Sequence, residues 1–316
     1  MKRSLFLVVT AIAILGCGSS SSMTGTGGNG AGSGGTGGGG SGGTGGGGAG
    51  GGGSGGTGGT GGGGGGGTGV GLVPPGGSLG TYIVLGDSIS DGGGAAPFFY
   101  DQLHMDLAKK WPSLMYVHAA QAGAVTDNYS DGVPANAPLL KTQIAGLGNS
   151  YPGDVLVTIT IGGNDLNDHA IKAIGGTDDT IRMEFGTHLD AELGELATPK
   201  RLGSGKVYIV LANIYDFTDG MGDFATVKCG PGANVSAMRD MTVFSAWNGV
   251  AAASLAKVAG TLYDMHADFM GHGYNNMTAD DVWYYRNGSD CIHPDTKGHD
   301  AIRRSIYNIV TGEQLP

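Results

Sequence analysis

The chain has 316 residues, with 27 acidic against 17 basic, a formal net charge of −10 and 67 glycines. A negative surface of this kind repels phosphate backbones and anionic head groups, so nucleic acid is not an expected partner. Thirty-three of the glycines fall in residues 25–69, among Thr, Ser and Ala, where almost nothing apolar offsets chain entropy.

The first twenty residues, MKRSLFLVVTAIAILGCGSS, have a charged start, a short apolar run and then small residues. That pattern reads as a secretory signal, too short to span a bilayer stably with its flanks. Its end, Ile14-Leu15-Gly16-Cys17, resembles the bacterial lipobox, in which the cysteine is lipidated and becomes the mature N-terminus. Gly18, rather than Asp, then implies the outer membrane where the cell has one. The expected organisation is a signal peptide over 1–16, a disordered glycine-rich linker over 17–77 and a folded domain over 78–316. The linker has a root-mean-square span of roughly 40 Å, suited to a tether, and the remainder is one domain's worth of chain.

Within that domain, Thr81–Leu85 reads as a short buried strand between glycines. Tyr100, Leu103, Leu107 and Trp111 recur at helical spacing until Pro112. Leu114–Ala119 is a second strand and Ala135–Leu147 a helix. Asp154–Ile161, DVLVTITI, is apolar on both faces, as a central parallel strand must be. A carboxylate-rich helix over Thr180–Leu196 follows, then a strand over Lys206–Ala212, a long helix over Ala233–Val258, a short strand over Gly260–Met265 and a closing helix over Gly298–Val310. Alternating strands and helices predict an α/β fold with a parallel sheet covered on both faces. In such folds the site lies outside the carboxyl ends of the strands.

Those ends hold GDSISDGGG, AQAGAVTDN, GGNDLND and NIYDFTDG, and GSDCIHPDTKGHD follows near the C-terminus. Ser88, directly after the first strand, is a weak nucleophile until a base takes its proton. His293 is the candidate base, and Asp290, three residues earlier, the candidate that orients its imidazole. The backbone N–H groups of Ser88 and Gly123 and the side-chain amide of Asn164 are candidate oxyanion donors. Each piece alone has a plain structural reading: a Gly-Asp-Ser turn, a helix cap, a surface Asp–His hydrogen bond. Five pieces at the ends of predicted strands favour chemistry.

On these residues the chain resembles the SGNH, or GDSL-type, hydrolases from about residue 80 to 312. Gly86-Asp87-Ser88 with Ser90-Asp91 matches their first block, with Ile89 where Leu is usual. Gly123 is the counterpart of the second-block glycine, Gly162-Gly163-Asn164-Asp165 matches the third block, and Asp290-Cys291-Ile292-His293-Pro294 the last. The resemblance implies a three-layer α/β/α sandwich with a flavodoxin-like parallel sheet, and Ser88, His293, Asp290, Gly123 and Asn164 in the roles above. It implies no cofactor.

Other features are weaker. An exported chain with two further thiols points to a disulfide between Cys229 and Cys291, two free buried thiols being the alternative. Asp165, Asp168 and His169 sit close together, but no second ligand cluster accompanies them, so no metal is expected. Asp165 is instead expected to orient its loop, with Asp168 and His169 solvated. Asp216, Asp219 and Asp223 have the wrong spacing for an EF-hand, and calcium there stays open. Trp283-Tyr284-Tyr285 either packs the adjoining loop or lines a cleft. The expected protein is a monomeric, lipid-anchored serine esterase acting on short acyl or acetyl esters of a small molecule, glycan or lipid. A lipase, lysophospholipase or acyltransferase of the same fold, and a non-catalytic glycan-binding module, are the alternatives.

Overall fold

Five runs rich in β-branched and large apolar residues build one sheet: β1 (Leu79–Gly86), β2 (Met115–His118), β3 (Asp154–Thr160), β4 (Val207–Ala212) and β5 (Thr261–Tyr263). They belong to a computed structural model that describes residues 71–132, 136–220, 242–273, 282–284 and 292–315, all inside the unit Thr68–Pro316. Every pairing is parallel and the order is β2-β1-β3-β4-β5. This is the flavodoxin-like order that the resemblance implies.

Successive strand residues point to opposite faces, so each strand feeds two cores. Ile83, Leu85, Val157 and Ile159 pack under the helices α2 (Leu140–Ala145), α5 (Asp179–Ala197) and α6 (Thr242–Ala256). Tyr82, Val84 and Leu156 face the other way, toward Leu103 and Leu107 of α1 (Phe99–Lys110) and Ile302 and Ile306 of α8 (Thr296–Thr311). The chain leaves β1 for β2 on one side and returns to β3 on the other. That reversal opens a crevice at the carboxyl ends of β1 and β3.

Three differences from the sequence expectation have physical causes. The helix expected from Ala135 starts only at Leu140, because Pro138 disfavours helical geometry in the residue before it and Leu139 pairs with Val125 as an isolated bridge. The strand expected to reach Met265 stops at Tyr263, since Asp264 caps a short helix α7 (Met265–Phe269) by accepting from the Ala267 N–H. Two short helices, α3 (Gly163–Asp168) and α4 (Ala170–Ile174), follow β3 where the sequence reading placed no element. Of the helix expected over Ala233–Val258, the part before Thr242 lies outside the described residues, as do the expected signal segment and linker residues 17–70. Residues 71–77, expected as the end of the disordered linker, instead join the domain: Val73 is buried, and the Leu72 and Val73 N–H groups donate to the Ile309 and Val310 carbonyls of α8.

The inward stripe of α5, formed by Ile181, Phe185, Leu189, Leu193 and Leu196, is interrupted by Glu192. Both Glu192 carboxyl oxygens are buried without a hydrogen-bond partner among the described residues. Burial, reinforced by Asp165 and Asp127, pushes its pKa up to about 10. The neutral acid is thus favoured in the folded state, so the stability it carries is full below its unfolded pKa near 4.3 and drains away as pH rises towards 10. Glu192→Gln cannot ionise. Its melting temperature should lie close to wild type near pH 5 and exceed it by about 10 °C or more at pH 9, since four pH units at about 1.36 kcal/mol each amount to about 5 kcal/mol. Parallel curves across that range in a thermal-shift titration would count against a buried neutral Glu192.

Candidate active site

β1 ends in a fastening. The side-chain amide of Gln143 on α2 grips Gly86 from both sides: its Oε1 accepts from the Gly86 N–H at 2.8 Å and its Nε2 donates to the Gly86 carbonyl at 2.8 Å. The next N–H, of Asp87, donates to the Thr160 carbonyl at the end of β3. Asp87 then caps a single 3₁₀ turn, Ser88–Ser90, its Oδ1 accepting from the Ile89 N–H at 3.0 Å and from Thr160 Oγ1 at 2.8 Å. Ser90 Oγ completes the chain, 2.8 Å from Thr160 Oγ1. Burial raises the Asp87 carboxyl to about 6, against those two hydrogen bonds and the nearby His293, which pull it down. The turn that carries Ser88 is therefore set by β3 as much as by β1.

Ser88 is half-buried, and its Oγ lies 2.7 Å from His293 Nε2. Several elements hold the backbone around the imidazole. The Ala95 N–H donates to the Pro294 carbonyl, and the Asp295 N–H to the Trp283 carbonyl. The Tyr215 hydroxyl donates to the Ile292 carbonyl. Asp295 caps α8 by accepting from the Lys297 and Gly298 N–H groups, which anchors the segment to the helix that follows.

Asn164 sits in the first turn of α3, at the end of β3. Its Nδ2 donates to the Ala124 carbonyl at 2.9 Å; that nitrogen carries two hydrogens and one is used this way. Gly123, next to Ala124, has φ +80°, a left-handed conformation that suits glycine. The neighbouring Asp165 joins the same two loops more firmly. Its Oδ1 accepts from the Thr126 N–H at 2.9 Å, from Thr126 Oγ1 at 2.7 Å and from the Tyr129 hydroxyl at 2.6 Å. Burial raises the Asp165 carboxyl while these donors lower it. The loop of Gly123 and the helix of Asn164 are thereby one unit.

The expectation that Asp165 orients its loop agrees with these contacts. His169 is different: it is 5 % exposed rather than solvated, with Nδ1 2.8 Å from the Asp165 carbonyl and Nε2 3.1 Å from Asp131. It packs 4.6 Å from the Tyr129 ring, which is why it is buried. Asp216 Oδ1 accepts from the Thr218 N–H and hydroxyl, and its Oδ2 from the Gly220 N–H. Asp219 Oδ1 accepts from the Gly271 and Gly273 N–H groups. These carboxylates cap loops, and no group of three His, Cys, Asp or Glu among the described residues suits a metal ion. Tyr284 is buried against Phe269 and Tyr215, and Trp283 stacks on His272 at 3.5 Å. Asp290, Cys229, Cys291, Cys17, Asp223 and Tyr285 lie outside the described residues.

Gln143, Thr160, Thr126 and Tyr129 support the site and escaped the sequence reading. Gln143 carried a faint signal, a polar residue on the inward stripe between Leu140 and Ile144. Thr160 carried none, since Thr is ordinary in a strand.

The fold is similar to that of solved proteins of low sequence identity. Phospholipase A1 from Streptomyces albidoflavus NA297 is 21% identical, with 74% of this chain and 100% of that one covered and a TM-score of 0.49. Axe2, an acetylxylan esterase from Geobacillus stearothermophilus, is 18% identical, with 76% and 98% covered and a TM-score of 0.48. LAE5, an alpha/beta hydrolase enzyme from the metagenome of Lake Arreo, Spain, is also 18% identical, with 74% and 98% covered and a TM-score of 0.47. No curated protein matches. Residues 84–301, from the strand before Ser88 to the helix after His293, match the GDSL-like Lipase/Acylhydrolase family, and the chain belongs to it.

Proposed function

We propose that this protein is a serine esterase that cleaves short acyl or acetyl esters through an acyl-enzyme. The observation that carries the reading is the 2.7 Å contact between Ser88 Oγ and His293 Nε2 at the carboxyl end of β1. Family membership supports ester hydrolysis as the reaction class. In the proposed cycle, His293 takes the Ser88 proton as Oγ attacks the ester carbonyl, and the negative charge gathers on the carbonyl oxygen. The Ser88 and Gly123 N–H groups and the Asn164 amide stabilise that oxygen; each such donor is worth about 10²–10³ in turnover. His293 returns the proton to the leaving alcohol. Water, deprotonated by the same imidazole, then releases the acid. Asp290 is proposed to hold the imidazolium, and no cofactor takes part.

The small-acyl preference rests on the sequence, whose folded part carries no long apolar segment of the kind that forms a lid over long-chain esters. We further propose, from the sequence, anchoring through lipidated Cys17 and a bridge between Cys229 and Cys291. The test is hydrolysis of p-nitrophenyl acetate, butyrate and palmitate by the purified protein. kcat/KM is expected to fall at least tenfold from acetate to palmitate. Palmitate as the preferred ester points to a lipase, and no turnover on any of the three by folded protein removes the esterase reading.

A further inference from the structure

His299 has no place in the proposed cycle, yet it is fully buried beside it. One ring nitrogen, Nδ1, receives the Phe99 N–H at 3.4 Å, so it carries no proton. The other, Nε2, is then the N–H and donates to the Gly93 carbonyl at 2.9 Å. The ring packs edge-on to Phe98 at 5.4 Å and parallel to Phe99 at 6.2 Å. Burial lowers its pKa to about 4, so the neutral tautomer holds throughout the range in which esterases are assayed.

Gly93 is the piece between His299 and the reacting pair. Its N–H donates to the Ser88 carbonyl at 2.7 Å. A Cβ built on Gly93 would stand 2.4 Å from His293 Cδ2 and 2.9 Å from His293 Nε2, so the imidazole rests directly on this residue. The Gly93 peptide is thus fastened on its N–H side to Ser88 and on its carbonyl side to His299, with His293 lying on it.

We propose that His299 is a positioning residue: through the Gly93 carbonyl it sets the floor on which His293 meets Ser88. This rests on the esterase reading above. The two histidines reach the floor from one place, because His293 precedes α8 and His299 lies in its first turns. Helix, floor and imidazole therefore move as a unit.

The test compares His299→Gln, His299→Asn and His299→Phe with wild type, each normalised to active sites titrated by a fluorophosphonate that labels Ser88. His299→Phe fills the space but offers neither donor nor acceptor. It should lose about 10- to 100-fold in kcat per titrated site with KM within twofold, and its labelling rate should fall in parallel. His299→Gln, which presents a donor and an acceptor at similar reach, should recover to within a few-fold, and the shorter Asn should lie between. A merely structural role lowers the melting temperature and the number of titrated sites but leaves kcat per site unchanged, and that result overturns the proposal. Should the Phe variant not fold, wild-type kcat per site in the Asn variant overturns it equally. Wild-type protein that neither turns over an ester nor is labelled at Ser88 overturns the esterase reading, and the positioning role with it.

Discussion

Ser88→Ala is expected to lower kcat on p-nitrophenyl acetate by about 10⁴-fold or more while leaving the melting temperature nearly unchanged. The small stability effect follows from the hydrogen bonds around the turn. The 3₁₀ turn is held by the Asp87 cap, by Thr160 and by the Gly93 N–H on the Ser88 carbonyl. None of these uses the Ser88 hydroxyl, whose assigned contact is His293. The large kinetic effect follows from covalent chemistry, because alanine offers no atom for an acyl-enzyme. His293→Ala should fall into the same range, and the double variant should be no worse than either single one, since nucleophile and base act as a unit. A Ser88→Ala protein keeping more than about 1 % of wild-type turnover removes Ser88 from the role of nucleophile.

The second large effect is expected away from the reacting atoms. Gly93→Ala should cost about 10²-fold in kcat, because the added methyl contests space with both members of the pair. It would sit 2.7 Å from the Ser88 carbonyl oxygen and 2.4 Å from His293 Cδ2. The carbonyl is backbone in a capped turn and has little freedom to retreat. The imidazole must therefore give way by about 1 Å, enough to stretch a 2.7 Å contact beyond hydrogen-bonding distance. Gly194→Ala is the matching control. It lies on α5, where an added Cβ meets nothing within 4 Å, and alanine favours the helix by up to about 1 kcal/mol. It should leave kcat alone and raise the melting temperature slightly. Steady-state kinetics beside thermal melts of both variants decide the matter: equal activity in the two means His293 does not rest on Gly93.

The parts of this protein that were legible in its sequence share one property, that local pattern decides them. The run Asp154–Ile161 reads as a buried strand and is one over Asp154–Thr160, and Ile302, Ile306, Ile309 and Val310, read as inward, marked α8, where Ile302, Ile306 and Val310 are buried. Ser88, Asn164 and His293 stood out as candidates because strand ends and short motifs mark them. What stayed hidden depends on partners distant in sequence. The Gln143 grip on Gly86 spans 57 residues, the Asp165 tie to Thr126 spans 39, and the His299 bond to Gly93 spans 206. A residue type says little when its meaning lies in a backbone carbonyl two hundred positions away. The start of helix α2 was misplaced for a related reason: Leu139 is drawn into a bridge with Val125, a tertiary contact that outweighs the apolar periodicity reaching back to Ala135.

Ser88 and His293 touch across 205 residues, and the Leu72 and Val73 N–H groups donate to the carbonyls of Ile309 and Val310 in α8. The two ends of the domain are fastened twice: the segment before β1 holds the carboxyl end of α8, and the turn after β1 meets the segment before α8 where the chemistry is proposed. During synthesis, the hydroxyl, the turn that presents it and the loops beside Asn164 all emerge before the imidazole does. A chain that ended before residue 293 would therefore carry the serine and the turn that presents it without the imidazole that meets it.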